Sequence, residues 1–110
     1  MESCRWHITE DGDLLVASFQ GRLSAEAGRA SAVAFAQQLD RPRPICFNVG
    51  GMNGYEGDAR RAWQELLWPK RDLIEDIRLR GGTPIVTMGA TLLASFLEVP
   101  LVKEAHDIQA

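Results

Sequence analysis

The sequence predicts an α/β fold: one domain with a mixed β-sheet, helices packed on it, and an N-terminal β-hairpin. Three observations predict it. An Asp11-Gly12 pair stands between two runs of β-forming residues; this signals a hairpin with a type I′ turn, which needs positive φ. Beyond it, stretches of helical period alternate with short β-branched runs, the pattern of a sheet covered by helices. The chain has 110 residues, 45% hydrophobic and 25% charged. That is the size and make-up of one soluble domain and too short for two.

The elements follow in order. Trp6 to Thr9 and Leu14 to Phe19 are the two hairpin strands, and Gly21 ends the second. Ser24 is placed as the N-cap of a helix over 24–40, with Glu26 in its first turn. Ala25, Gly28 or Arg29, Ala32, Phe35, Ala36 and Leu39 fall on one face, and the alanines there let the helix lie close to a sheet. Arg41-Pro42-Arg43-Pro44 stops it. Ile45 to Val49 reads as a short buried strand. Residues 50–57 hold four glycines and read as an irregular loop. A long helix is expected over 58–80, kinked or split at Pro69, with Arg71–Glu75 and Asp76–Arg80 as i,i+4 pairs. Gly81-Gly82 ends it. Pro84 to Met88 reads as a strand parallel to 45–49, residues 90–97 as a short helix with Leu92, Leu93, Phe96 and Leu97 inward, and 100–102 as an edge strand. The domain spans 1–110, with a polar tail from about residue 103.

Composition narrows the function classes. The net charge is -3, whereas a reader of nucleic acid needs a basic face, so no nucleic-acid partner is expected. No apolar run approaches the ~18 residues of a membrane helix, so no membrane insertion is expected. Met1 to Trp6 contains no signal-peptide apolar region, which points to the cytoplasm. Cys4 and Cys46 are too few for a disulfide framework and read as free thiols, Cys46 as a small buried hydrophobe.

Catalytic motifs are missing. There is no Cys-x-x-Cys or His-x-x-x-His, and Cys4 and His7 point to opposite faces of a strand. The two histidines stand at opposite ends of the chain, His106 reading as a solvated tail residue, and no nucleophile lies beside an oriented base. The glycine-rich run matches neither the Walker nor the Rossmann pattern. No metal or cofactor is therefore expected, and no enzyme. Glu56 and Asp58 read as caps of the long helix, with partner binding as a further role. Trp63 reads as core. Trp68 is either core or the wall of a groove. Tyr55 either anchors a contact or folds back over the helix start.

The element order and this loop resemble the STAS domains, the family of anti-sigma-factor antagonists and sulfate-transporter tails. In that family a strand Asp leads through a loop to an Asp-Ser-Ser-Gly motif at a helix start, where a partner kinase phosphorylates the second Ser. Here Asn48 stands at the strand position and Glu56-Gly57-Asp58-Ala59 at the motif, with neither Ser present. Phe19 to Leu23 and Met88-Gly89-Ala90 look like two further family turns. The long Trp-containing helix looks closer to divergent STAS-like proteins related to lipid-binding Sec14-type domains.

The resemblance implies a non-enzymatic bacterial regulatory module. It would bind a protein partner, kinase-like or scaffold, through the loop 50–58 and the following helix, using Asn53, Tyr55, Glu56, Asp58 and Arg61. The alternative it implies is a small-molecule or lipid-binding module with an apolar pocket near Leu67, Trp68, Met88 and Gly89. Asp58 is either a partial phosphate mimic or only a helix cap, and the oligomeric state stays open.

Overall fold

The computed structural model describes residues 4–104. Strands β1 (Arg5–Asp11) and β2 (Leu14–Leu23) form the N-terminal hairpin; helix α1 (Ala25–Gln38) leads to strand β3 (Arg43–Tyr55). Helix α2 (Gly57–Leu67) runs into a 3-10 segment (Trp68–Leu73), then strand β4 (Ile74–Arg80), helix α3 (Pro84–Leu97) and strand β5 (Leu101–Lys103). The sheet order is β1-β2-β3-β4-β5; β1 is antiparallel to β2 and the other neighbours are parallel. The polar tail expected from about residue 103 lies, beyond Glu104, outside the described residues, as does His106.

At the hairpin turn only Gly12 has positive φ, at 63°. A type I′ turn needs it at both central residues, so this turn is of the II′ kind, with Gly first. Ser24 caps α1 as expected, its Oγ accepting from the Ala27 N–H at 3.1 Å.

Three assignments are corrected. First, 50–55 is not a loop, because β3 continues through it beside the end of β2. The register slips twice, so that β3 carries an extra residue between Asn48 and Gly51 and another between Met52 and Gly54. These are β-bulges, and the glycines permit them; a Cβ on Gly51 would lie 2.9 Å from Gln20 Cγ.

Second, the helix expected over 58–80 ends at Leu67, and 74–80 is strand. Pro69 interrupts the helical hydrogen bonds, and Ile77-Arg78-Leu79-Arg80 then alternates inward and outward. The two i,i+4 pairs do not form: Arg71 donates to the Trp68 carbonyl, Asp76 pairs with Arg78, and Arg80 with Glu104.

Third, 84–88 is the first turn of α3 rather than a strand. Thr83 Oγ1 accepts from the Val86 N–H at 3.3 Å and Pro84 sits at the first helical position. Both are helix-start signals that outweigh the β-branched run. The parallel neighbour of β3 is therefore β4.

All three helices cover one face of the sheet. Leu15, Ala17, Phe19, Ile45, Phe47, Val49, Ile77 and Leu79 point to that face and pack with Phe35, Trp63, Leu67, Leu93 and Leu97. Trp63 is core, as expected. It stands against Phe19, Phe35 and Phe47 with centroids 5.1–5.9 Å away, and its Nε1–H donates to Ser31 Oγ at 3.2 Å. Helices α1 and α2 nearly touch: a Cβ on Gly28 would lie 2.5 Å from Ala59 Cβ. On the other face Leu14, Val16 and Cys46 make a small buried group. Cys4 and Cys46 are free thiols, and burial pushes the Cys46 thiol up to about 11.

Candidate functional site

The parallel strands β2, β3 and β4 all end on one side of the molecule, where α1, α2 and α3 begin. Strand order follows chain order without reversal, so among the described residues there is no switch-point crevice of the doubly wound kind. What this end offers instead is the surface around Tyr55, Glu56 and the starts of α2 and α3.

Glu56 is held by its neighbours. Its N–H donates to the Leu23 carbonyl at 2.9 Å. Its carboxylate accepts from the Ala25 N–H at 2.8 Å and pairs with Arg22 at 3.3 Å. Glu56 therefore caps α1, not the helix it precedes, where its side chain makes no capping bond. Asp58 is not a cap either. It lies in the first turn of α2, exposed, with Arg61 one turn on at 3.3 Å. Such an exposed pair contributes little, and the Asp58 charge favours the helix start through the dipole. Asn53 is exposed on the second bulge. Asn48 lies on the helix-free face with its amide 3.5 Å from Ser18 Oγ, away from Glu56 and Asp58.

Tyr55 is half-buried and turns its ring onto α3. A Cβ on Gly89 would lie 2.6 Å from the Tyr55 ring and hydroxyl, so only glycine leaves room for it there. Beside this contact a slot opens between α2, α3 and the sheet. Its volume is about 60 Å³. Phe19, Phe47 and Trp63 floor it, and Tyr55, Arg60 and Gly89 line its outer part. Arg60 is the one charged residue in the lining; its Nε–H is buried and has no acceptor among the described residues.

Of the pocket residues expected from the sequence, Gly89 lines the slot. Leu67 is fully buried in the core, and Trp68 and Met88 are on the surface. Trp68 packs against Phe96 at 5.1 Å, with the Arg71 guanidinium 3.9 Å over its ring. Leu92 and Phe96 do not face inward as expected. With Ile85 and Met88 they form an exposed stripe along α3. An apolar pocket walled by Gly89 was expected; its aromatic floor, Arg60 in its wall and this stripe are what the sequence did not show. One signal was there to be read: 84–97 contains no charged residue, and a helix apolar all round has more hydrophobic surface than one core contact needs. Chemically, the slot offers almost only apolar contact. Among the described residues no cluster of three metal-ligating side chains occurs.

Fold and site together define a singly wound, hairpin-led α/β domain with an apolar slot beside its second helix. No family model matches the sequence, and no curated protein is similar to it. Solved structures are similar to it in fold. One is an uncharacterized protein of the DUF3478 family with a SpoIIAA-like fold from Shewanella loihica PV-4, with TM-score 0.69 and 11% identity over 96% of this chain and 88% of that one. Another is the anti-sigma factor antagonist SpoIIAA in its unphosphorylated form, with TM-score 0.55 and 15% identity over 93% of this chain and 90% of that one. The chain has this SpoIIAA-like, STAS-like fold, as its sequence led us to expect. No helix is long and apolar enough to cross a membrane among the described residues.

Proposed function

We propose that the chain is a non-enzymatic, cytoplasmic, bacterial regulatory module that docks a protein partner, kinase-like or scaffold. The docking surface is the end of β3, the first turns of α2 and the adjoining outer face of α3. The observation that carries this reading is the α3 stripe. Ile85 is 66% and Met88 63% exposed, and Leu92 and Phe96 continue the stripe on the same side of a helix that has no charge. Apolar residues scattered singly need no explanation, but a contiguous group bordered by polar residues marks an interaction surface. Asp58, Arg61 and Asn53 are exposed polar residues at the same end of the molecule, where the helices begin. The anti-sigma factor antagonist with the same fold makes a protein partner the natural class. At the position of the STAS phosphoserine this chain carries Asp58, a fixed charge that no kinase can toggle.

The slot favours this reading over the small-molecule alternative. An engineered apolar void of ~150 Å³ holds one benzene. The slot is about 60 Å³, so it takes the end of one side chain and no whole lipid tail.

Quantitative affinity capture from native cell extract tests the proposal. Wild type is compared with Asp58→Asn, with Met88→Glu and with His7→Ala, the last on the helix-free face. The expected result is a protein retained by wild type and His7→Ala, lost by Met88→Glu and weakened by Asp58→Asn. A protein retained equally by all four variants would place the interface elsewhere. Equal retention by Asp58→Asn and wild type would reduce Asp58 to a helix-dipole residue.

A further inference from the structure

We propose that β1 is a dimerisation edge. Two copies of the chain pair through their β1 strands, antiparallel and centred on Ile8, into one continuous sheet. The two edges of the sheet differ. β5 is three residues long and ends in Lys103; short length and lysine are two of the devices that keep an edge strand from pairing. β1 runs seven residues, Arg5–Asp11, without proline, lysine or a bulge, in unbroken register with β2. Its outer side pairs with nothing among the described residues. The strand is also held in place. The buried Arg43 guanidinium donates to the Glu10 carboxylate at 2.8 Å and to the Asp13 carbonyl at 2.7 Å, so little order has to be gained on pairing.

Hairpin geometry decides which backbone groups are free. Asp11 and Leu14 flank a two-residue turn and exchange hydrogen bonds; by alternation so do Thr9 with Val16, His7 with Ser18 and Arg5 with Gln20. The N–H and C=O groups of Trp6, Ile8 and Glu10 therefore point away from β2. Antiparallel pairing centred on Ile8 sets Ile8 opposite Ile8 and Trp6 opposite Glu10, so all three residues of each copy bond. Charged side chains on an edge ordinarily repel a second strand, but here they match one. In this register Arg5 faces Asp11 of the second copy, twice by symmetry. Both residues are exposed, and neither belongs to an ion pair within the chain among the described residues. They meet at a non-hydrogen-bonded position, where side chains of opposite strands come closest. On the helix face Trp6 and Ile8, half-buried at the margin of the core, extend that core across the junction.

A strand pair this short buries less than the ~1,200 Å² of a stable complex, so the dimer is reversible. α3 packs over β3, β4 and β5, at the far side of the sheet from β1. The α3 surface therefore stays open on both copies, and the dimer offers two such surfaces at once. His7 faces Thr9 of the second copy, a contact within the dimer and not with another protein.

Sedimentation equilibrium of the full-length protein over a dilution series tests the proposal. Wild type should pass from dimer to monomer on dilution, and amide exchange at Trp6, Ile8 and Glu10 should slow as concentration rises. Ile8→Pro removes the central N–H, which points away from β2, and should be monomeric. Arg5→Glu and Asp11→Arg each turn both attractive pairs repulsive and should weaken the dimer about tenfold. Their equimolar mixture should regain wild-type association, because each variant supplies the charge that the other lacks. Thermal unfolding shows which variants fold; the charge variants, altered only at exposed positions, decide the matter if Ile8→Pro does not. Wild type that stays monomeric up to ~1 mM, or a dimer unchanged by a folded Ile8→Pro, overturns β1 as the dimer edge. A mixture no stronger than either charge variant alone overturns the register centred on Ile8. Self-association lost in Met88→Glu and kept in Ile8→Pro overturns the proposal in favour of α3. Amides of β1 that slow only on addition of cell extract assign the edge to a strand of another protein instead.

Discussion

Replacing Gly28 by Ala should destabilise the protein, although alanine is the better helix former. Gly28 lies in the interior of α1, where Gly→Ala alone is worth about 1 kcal/mol of added helix stability. The structure reverses the sign. The new Cβ would lie 2.5 Å from Ala59 Cβ and 2.6 Å from Ala59 Cα, whereas carbon atoms in contact sit ~3.5–4.0 Å apart. Because the nearest atoms include helix backbone, no rotamer change relieves the clash, and α1 and α2 must part by about 1 Å. That movement strains the bond from Trp63 to Ser31 and the Phe35–Trp63 contact at 5.1 Å. Overpacking of this kind costs ~1–3 kcal/mol, and the backbone contact argues for the upper half of that range. After the helix-propensity gain, a net loss of roughly 1–2 kcal/mol remains. This lowers the melting temperature by about 5–10 °C in a domain of this size. Urea unfolding of Gly28→Ala, with Gly57→Ala as control, measures it. Gly57 opens α2 and a Cβ there meets nothing within 4 Å, so that variant should be as stable as wild type or up to about 1 kcal/mol more stable. If Gly28→Ala is as stable as Gly57→Ala, the close contact of α1 with α2 is wrong.

Glu56→Ala should lose about 1 kcal/mol in urea unfolding through the uncapped Ala25 N–H of α1; amide exchange should rise at the start of α1 and not of α2, and the reverse pattern would show that Glu56 caps its own helix. The Cys46 thiol is raised by burial from 9.0 to about 11. The unfolded chain therefore loses this proton before the folded one does, and stability should fall as pH rises from about 9 to 11. Cys46→Ala should lack that portion of the alkaline decline, and identical pH profiles for the two proteins would contradict the assignment. Gly89→Ala should displace the Tyr55 ring, because the new Cβ meets it at 2.6 Å. As the ring can swing away, the stability loss should be smaller than for Gly28→Ala, and partner binding should suffer more; an unmoved Tyr55 ring in a structure of the variant would refute this.

Much of the fold was legible because local chemistry and tertiary outcome agree. The Asp11-Gly12 turn, the Ser24 cap, the inward stripe Gly28–Ala32–Phe35–Ala36 and the core position of Trp63 all follow from residue type and period. The errors arose where two local signals compete. Ile74 and Ile77 have helical spacing, and Arg71–Glu75 is a plausible helical pair, yet the alternation from Ile77 to Arg80 and the need for a strand beside β3 decide for sheet. Ile85-Val86-Thr87 favours strand by propensity, but the Thr83 cap and Pro84 start a helix there. Four glycines at 50–57 suggest a loop; in the structure most of them serve bulges in a strand whose pairing partner, Gln20 to Leu23, is remote in sequence. The slot was illegible for the same reason. Tyr55, Arg60 and Gly89 acquire a common function only when α2 and α3 are laid side by side, and no period along the chain encodes that contact.

The central claim is that a protein partner docks on the face made by α2 and α3. Site-specific photo-crosslinking in the native host tests it most directly, with the photoreactive residue placed at exposed Met88 in one variant and at exposed His7, on the helix-free face, in another. The account predicts a discrete adduct with one other protein from position 88 and none from position 7. An adduct from position 7 alone would contradict it, as would the chain crosslinked only to itself.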